Sequence, residues 1–198
     1  MLRERDGNIF DRITDDIQVV IPVNSSFDCV VDGVTIDKNS LHGQLINNMG
    51  SARFYNLVQK RIIQNDIYDY DGRLIPKNFK TMPKEFQRSM HDIYPIGFYT
   101  RIENFILLIT THFNESGQAY INESNGSAEN TYKAILRGLT SAINSCHQGT
   151  IRVPFIGTSV LSRNGNNSEY NHDDMKRDLK RCLNGLIKSR QNIEIWSK

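Results

Sequence analysis

Two polar segments, each directly after a short apolar run, carry the side chains best suited to bind a small anion. The first, residues 24–44, begins after the run at residues 17–23 and includes Ser40, which precedes a stretch typical of a helix. A polar loop that leads into a helix offers oriented backbone N–H groups and the positive end of the helix dipole, which favour a phosphate. On this local pattern alone, an ordinary capped helix that binds nothing is the better interpretation.

The second segment, residues 154–162, contains one glycine and hydroxyl residues among apolar neighbours. Gly157 would let the backbone approach a diphosphate, and Thr158 and Ser159 would add N–H and O–H donors. Neither a Walker A loop nor a complete G-x-G-x-x-G pattern is present. Taken alone, a single glycine after a strand indicates only a turn.

The remaining reactive side chains show no catalytic or metal-binding pattern. The five histidines are dispersed without ligand spacing, which argues against a metal site. A thiol nucleophile at Cys146 would need a base, but the adjacent His147 points in a different direction at a helix end. His42 falls in the first turn of a predicted helix, where a histidine is usually solvated. We therefore predict no catalytic residue and no metal ligand.

Strands and helices alternate along the chain. Nearly continuous apolar runs predict strands at residues 17–23, 105–111, 151–155 and 193–196. Amphipathic periodicity predicts helices at residues 128–145 and 173–188, and the N-cap residue Ser40 predicts a further helix from Leu41. This alternation indicates an α/β fold, a three-layer α/β/α sandwich around a mixed, mostly parallel central sheet. Ligands of such sheets bind beyond the carboxyl ends of the strands, where both polar segments would lie.

Two stretches interrupt this alternation. Asp32-Gly33 between β-branched runs predicts a tight hairpin at about residues 29–36. Residues 65–94 combine aromatic, charged and proline residues without a clear period, as in an insertion. Two interpretations of the insertion stay open: a lid that contributes Tyr94 or Phe98 to ligand specificity, or a packed surface excursion.

Composition is that of an ordinary globular chain. With 198 residues, 38% of them hydrophobic, residues 1–198 are predicted to form one domain. The net charge is only +2 and the basic residues are scattered along the sequence, which argues against nucleic acid as a partner. Three separated cysteines and apolar runs too short to span a bilayer predict a soluble, cytoplasmic protein without a membrane segment. A homo-oligomer is left open.

In their order along the chain, these segments resemble the macro-domain family. The resemblance includes residues 7–10, the strand that ends in Pro22-Val23-Asn24, Gly97 with the strand after it, and residues 151–161. It covers most of the chain apart from the insertion. It implies a pocket for ADP-ribose or a derivative, with no other cofactor.

The resemblance also implies a role for individual residues. Asn8 stands where the family has an aspartate that reads the adenine amino group, and Ile9 follows as its backbone-contacting neighbour. An asparagine still offers both an acceptor and a donor. Asn24 matches an asparagine near the distal ribose. The implied phosphate contacts are Ser40, Leu41 and His42 at the start of the helix, and Pro154, Phe155, Gly157, Thr158, Ser159, Val160 and Leu161 in the diphosphate loop. Trp196 is left out, because a terminal tryptophan is more often core or rim.

The chain departs from the family pattern at two loops, and these departures bear on whether it is a hydrolase or a sensor. The glycine run that follows the family's asparagine is replaced by the predicted hairpin and Asp37-Lys38-Asn39, and Ser159 stands where a glycine is usual. Macro-domain hydrolases depend on that flexible glycine loop to position a water, so the departure favours a sensor domain over an enzyme. With its Ile-Pro-Val-Asn strand, Asp-Gly turn and Ser-Leu-His-Gly helix start, the chain is similar to the macro domains of Thoeris anti-phage defence effectors.

Similarity to that subgroup implies antiviral sensing of a nucleotide signal that a partner TIR-domain enzyme makes from NAD, such as ADP-ribose carrying an imidazole- or histidine-derived group. Such effectors often carry membrane helices before the sensor, so the chain would be the cytoplasmic domain of an anchored effector. Two alternatives stay open. One is an ADP-ribosyl hydrolase, for which Asp28, Asp32 and Asp37 are loose candidates for a carboxylate; the other is an interaction domain with a vestigial pocket.

Overall fold

A computed structural model gives the arrangement of most of the chain. It describes residues 1–33, 35–76, 79, 93–113, 119–120, 127–146, 149–156, 170–187 and 191–197. The elements follow in the order β1 (Leu2–Asp6), β2 (Ile17–Asn24), α1 (Leu41–Met49), α2 (Ser51–Ile63), β3 (Tyr99–Ile102), β4 (Phe105–Phe113), β5 (Ala119–Tyr120), α3 (Ala128–Asn144), β6 (Gly149–Pro154), α4 (His172–Leu186) and β7 (Gln191–Ser197).

One mixed sheet organises these elements. Its strands lie in the order β1-β7-β6-β2-β4-β3, and the short β5 pairs with β4. Neighbours from β1 to β4 are parallel, whereas β3 and β5 run antiparallel to β4. Val19, Val20 and Ile21 in the central β2 are fully buried, as expected for a strand covered on both faces. The mixed, mostly parallel sheet predicted from the sequence is confirmed.

Helices cover both faces of the sheet. α1 and α2 contact each other and pack against β2 and β3, whereas α3 packs against β4 and α4. Because parallel crossovers are right-handed, the connection from β2 to β4 and the connection from β4 to β6 lie on opposite faces. This is the predicted three-layer α/β/α sandwich. Within the described residues, no helix is long and apolar enough to cross a membrane.

Two glycines bring α3 close to the segment before β3. A Cβ on Gly138 in α3 would overlap the carbonyl oxygen of Gly97. Gly97 has a φ of +88°, which residues with a side chain rarely adopt. On its other side, α3 meets α4, where the hydroxyl of Tyr132 donates to the carbonyl of Met175 at 3.1 Å.

The hairpin predicted at residues 29–36 is wrong for the part that the structure describes, because residues 29–33 and 35–36 contain no strand. Asp32 organises a turn there instead. Its Oδ1 accepts the backbone N–H of Thr35 at 2.8 Å, and the N–H of Gly33 donates to the carbonyl of Ile36 at 3.1 Å. An aspartate side chain thus supplies the hydrogen bonds that strand pairing would have made.

The described parts of the insertion, residues 65–76, 79 and 93–94, pack onto the core. Tyr68 stacks on Tyr99 with ring centroids 5.2 Å apart. Phe98, just beyond the insertion, is buried against Tyr70, and Tyr94 is buried against Phe27. These residues match the packed interpretation of the insertion.

Candidate functional site

A cleft is expected where β2 and β6 meet at the carboxyl edge of the sheet. The ladder between these strands consists of three pairs, from Ile17↔Thr150 to Val19↔Arg152, whereas β2 pairs with β4 as far as Asn24↔Thr111. After β2 the chain crosses toward β4, and after β6 it crosses toward β7. Such a switch in direction is where open α/β sheets bind ligands.

The side chain of Asn24, at the end of β2, is held by Asp28. Its Nδ2 donates to Asp28 Oδ2 at 2.9 Å, and its Oδ1 accepts the backbone N–H of Asp28 at 3.0 Å. Both residues are buried, so these bonds form in a low-dielectric environment where they are strong. The amide is therefore fixed in one orientation, and its second N–H is left for another acceptor.

The loop that carries this pair is buried and irregular rather than exposed and flexible. Phe27 adopts a φ of +48° and is completely buried. The N–H of Tyr94 donates to the carbonyl of Ser25 at 2.9 Å, and the N–H of Ser25 donates to the carbonyl of Thr111 at 2.9 Å. The loop is thus tied to β4 and to the end of the insertion.

The start of α1 is a helix end capped by a side chain. Ser40 is the N-cap, and its Oγ accepts the N–H of Gly43 at 3.0 Å and donates to the carbonyl of Asp37 at 2.6 Å. The N–H groups of Leu41 and His42, in the first turn, have no partner within the helix. They are the donors that this terminus would offer to a phosphate.

The side chain of His42 is buried, contrary to the solvated position expected from the sequence. Its ring lies 5.5 Å from that of Phe54 in α2. Burial lowers the pKa of His42 to about 3, although a hydrogen bond to the backbone of Asp28 opposes this effect. The imidazole is therefore neutral at physiological pH, and any contact of His42 with a phosphate would use its backbone N–H.

The turn after β1 contains Asn8 and Ile9. Asn8 is exposed, and its Oδ1 accepts the N–H of Phe10 at 3.0 Å. Ile9 is buried, and its carbonyl accepts Nη1 of Arg152 at 2.9 Å. The Trp196 ring lies beside this turn, since a Cβ on Gly7 would be 3.6 Å from it.

At the end of β6, Pro154 is buried and Phe155 is half-buried. Pro154 pairs with Trp196 of β7, and Nζ of Lys176 lies 5.2 Å from the centroid of the Phe155 ring. The remaining predicted residues of this loop, Gly157, Thr158, Ser159, Val160 and Leu161, lie outside the described residues.

The structure places the described site residues at one edge of the sheet. Asn8 and Ile9 follow β1, Asn24 ends β2, Pro154 ends β6, and the cap of α1 closes the loop after β2. Because these strands are parallel, their carboxyl ends share that edge. In the described part of the chain, no group of three or more acidic, histidine or cysteine side chains is arranged to hold a metal.

Sequence reasoning missed two residues of this region. The sequence pattern suggests Asp28 only as a loose candidate for a catalytic carboxylate, whereas the structure shows that it orients Asn24. Arg152 belongs to none of the predicted motifs, but a charged residue between Ile151 and Val153 in a buried strand is unusual enough to signal a specific role.

Comparison with known proteins agrees with this architecture. No curated protein matches the chain. The family model described as the macro domain of the Thoeris protein ThsA matches residues 5–192, which include every described element from β2 to α4. The chain therefore belongs to the ThsA macro-domain family of Thoeris defence proteins.

Proposed function

We propose that this domain senses an ADP-ribose-type nucleotide signal in bacterial anti-phage defence, and that the nucleotide binds along the carboxyl edge of the sheet. The adenine lies near Asn8 and Ile9, and the distal ribose near Asn24. The diphosphate lies across the N-terminus of α1 and residues 157–161. The distal group is an imidazole- or histidine-derived substituent.

The observation that carries the choice of a sensor is the locked loop after β2. Asn24 is bound at both polar atoms by Asp28, and the loop around it is buried. A loop that is already ordered loses little conformational entropy when a ligand binds, which favours affinity. By resemblance, a hydrolase would instead need a flexible glycine loop at this place.

Calorimetric titration tests the proposal. ADP-ribose and its imidazole-bearing conjugate should each release heat with the wild-type protein, and the conjugate should bind more tightly. Gly157→Trp should abolish binding by filling the diphosphate loop. Gly185→Trp is a matched control, because Gly185 lies on the exposed side of α4 with open space around it. Absence of heat with both nucleotides would overturn the proposal.

One observation supports the alternative function, an ADP-ribosyl hydrolase. A carboxylate oxygen of Asp28 lies 2.9 Å from the Asn24 amide, close to the proposed distal ribose. A carboxylate at that position is what general-base activation of a water would require. Its bond to Asn24 and its burial argue that it positions the amide instead.

Asp28→Asn separates the two roles, because it removes the charge and keeps the shape. Loss of turnover of a mono-ADP-ribosylated substrate, with ADP-ribose binding retained, would establish the hydrolase. Absence of turnover in the wild-type protein, together with weaker binding in the variant, would establish the sensor.

A further inference from the structure

Arg152 is a charged residue in the interior of the sheet. Its neighbours in β6, Ile151 and Val153, are completely buried, and Arg152 itself is 7% exposed. A buried guanidinium is costly unless acceptors surround it. The guanidinium of Arg152 therefore requires hydrogen-bond acceptors, and the residues that supply them indicate its role.

Within the described part of the chain, the partners of Arg152 belong to the adenine end of the proposed site. Nη1 donates to the carbonyl of Ile9 at 2.9 Å and to that of Asp11 at 2.5 Å. Nε lies 3.6 Å from Oε2 of Glu194, and the guanidinium carbon lies 4.8 Å from the centroid of the Trp196 ring. Glu194 also accepts the indole N–H of Trp196 at 3.3 Å. One cation thus contacts both the turn after β1 and the aromatic ring beside it.

The contact with Ile9 leads directly to Asn8. The carbonyl of Ile9 and the N–H of Phe10 belong to the same planar peptide unit. That N–H donates to Oδ1 of Asn8 at 3.0 Å. A cation on the carbonyl polarises the peptide and strengthens the N–H as a donor. Because Oδ1 of Asn8 faces Phe10, Nδ2 is the group that faces away from the turn.

We propose that Arg152 is a positioning residue for the adenine end of the pocket: through the Ile9–Phe10 peptide it orients the Asn8 side chain, and through its guanidinium face it supports Trp196. This inference rests on the proposed nucleotide binding. It adds that Asn8 presents a hydrogen-bond donor to the base, which suits a ring nitrogen of adenine.

A double-mutant cycle measured by calorimetry tests the coupling. Arg152→Gln should weaken ADP-ribose binding about tenfold, the effect of losing one good hydrogen bond to the base. In an Asn8→Ala background the same substitution should cost much less, because the group that it positions is gone. Arg152→Lys, which keeps the charge, should restore part of the affinity.

Arg101→Gln is the matched control. Arg101 is half-buried and, like Arg152, donates to a backbone carbonyl, that of Ala142 at 2.7 Å, in a different part of the fold. Its loss should have the same effect on binding in the wild-type and Asn8→Ala backgrounds. An equal loss from Arg152→Gln in both backgrounds would show that Arg152 acts only on stability, and would overturn the inference.

Amide hydrogen exchange without nucleotide gives a second test. Arg152→Gln should speed exchange at residues 8–11, and Arg101→Gln should not. Unchanged exchange in the Arg152 variant overturns the inference and leaves nucleotide binding untouched. A wild-type protein that binds no ADP-ribose overturns the proposed function, and the role at the base with it.

Discussion

At the scale of single residues, the predicted site is built from side chains that hydrogen bonds to neighbouring residues hold in one orientation. Asn24 is held by Asp28, Ser40 by Asp37 and Gly43, and Asn8 by Phe10. These hydrogen bonds orient each side chain in the absence of a ligand. They also make the stability of the fold sensitive to substitutions that change the charge of one partner.

Asn24→Asp tests that sensitivity. It places a second carboxylate beside the buried Asp28, where two like charges cannot both ionise cheaply. At pH 7 the variant should lose about 3 kcal/mol or more of unfolding free energy, as for other uncompensated buried charges. The loss should shrink as the pH falls toward 4, since the native pair takes up a proton that the unfolded chain does not.

Asn8→Asp is the control for this substitution. Asn8 is exposed, and an aspartate keeps the oxygen that accepts the N–H of Phe10. The free energy of unfolding, measured with denaturant, should therefore change by about 0.5 kcal/mol or less. A loss from Asn24→Asp that does not depend on pH would contradict the charge argument.

The buried His42 predicts a further pH dependence. Its pKa falls to about 3 in the native state, from a usual value of 6.5. The unfolded chain therefore binds a proton below about pH 6.5 that the native protein does not bind until about pH 3, so stability falls as the pH is lowered across this window. His42→Gln should make this dependence shallower by up to about 1.4 kcal/mol per pH unit.

The measurement is denaturant unfolding at several pH values. At pH 8, His42 is neutral in both states. There the unfolding free energies of the wild-type protein and the His42→Gln variant should differ only by the effect of the substitution on packing, which does not depend on pH. Parallel curves from pH 8 to pH 4 would show that His42 has the same pKa in the native and the unfolded protein, and would contradict this prediction.

At the scale of elements, the close approach of α3 to Gly97 is a second point of sensitivity. Gly138→Ala would drive a methyl group into the Gly97 carbonyl, so thermal unfolding should show a loss of about 1–3 kcal/mol, typical of overpacking. Gly185→Ala in α4 has open space and should instead gain about 0.4–1 kcal/mol by restricting the unfolded chain. Equal effects of the two substitutions would contradict this packing.

Most elements could be predicted because their apolar periodicity is strong. Two of the elements that the pattern does not predict, β1 and α2, have clear physical causes. β1, Leu2–Asp6, lies at the edge of the sheet and is mostly exposed. Because it lacks a run of apolar residues, the sequence does not show that this segment is a strand paired with β7. α2 follows α1 with only Gly50 between them, and a single glycine does not show where one helix ends and another begins.

The site was less predictable than the fold, because its details depend on tertiary contacts. That His42 is buried follows from the packing of α1 against Phe54, and the role of Arg152 depends on a turn far away in sequence. The first turn of α1 and the Asn24 position could be inferred from local pattern and resemblance; the partners that hold them could not.

At the scale of the whole molecule, the two ends of the chain are interleaved in one sheet. β1 pairs with the terminal β7, and β2 lies between β6 and β4, so no cut along the chain separates two sets of strands. We expect a single cooperative unfolding transition. Trp196 is the sole tryptophan and reports on β7 by fluorescence, while circular dichroism reports on all the helices.

The two signals should give the same midpoint of thermal unfolding, and ADP-ribose should move both together. At a nucleotide concentration about 100 times the dissociation constant, a ligand that binds only the native state adds about 2.7 kcal/mol. Separate midpoints would divide the chain into more than one folding unit. A shift in the Trp196 signal alone would mean that the nucleotide stabilises the end of the sheet without stabilising the helices, which the interleaved strand order does not allow.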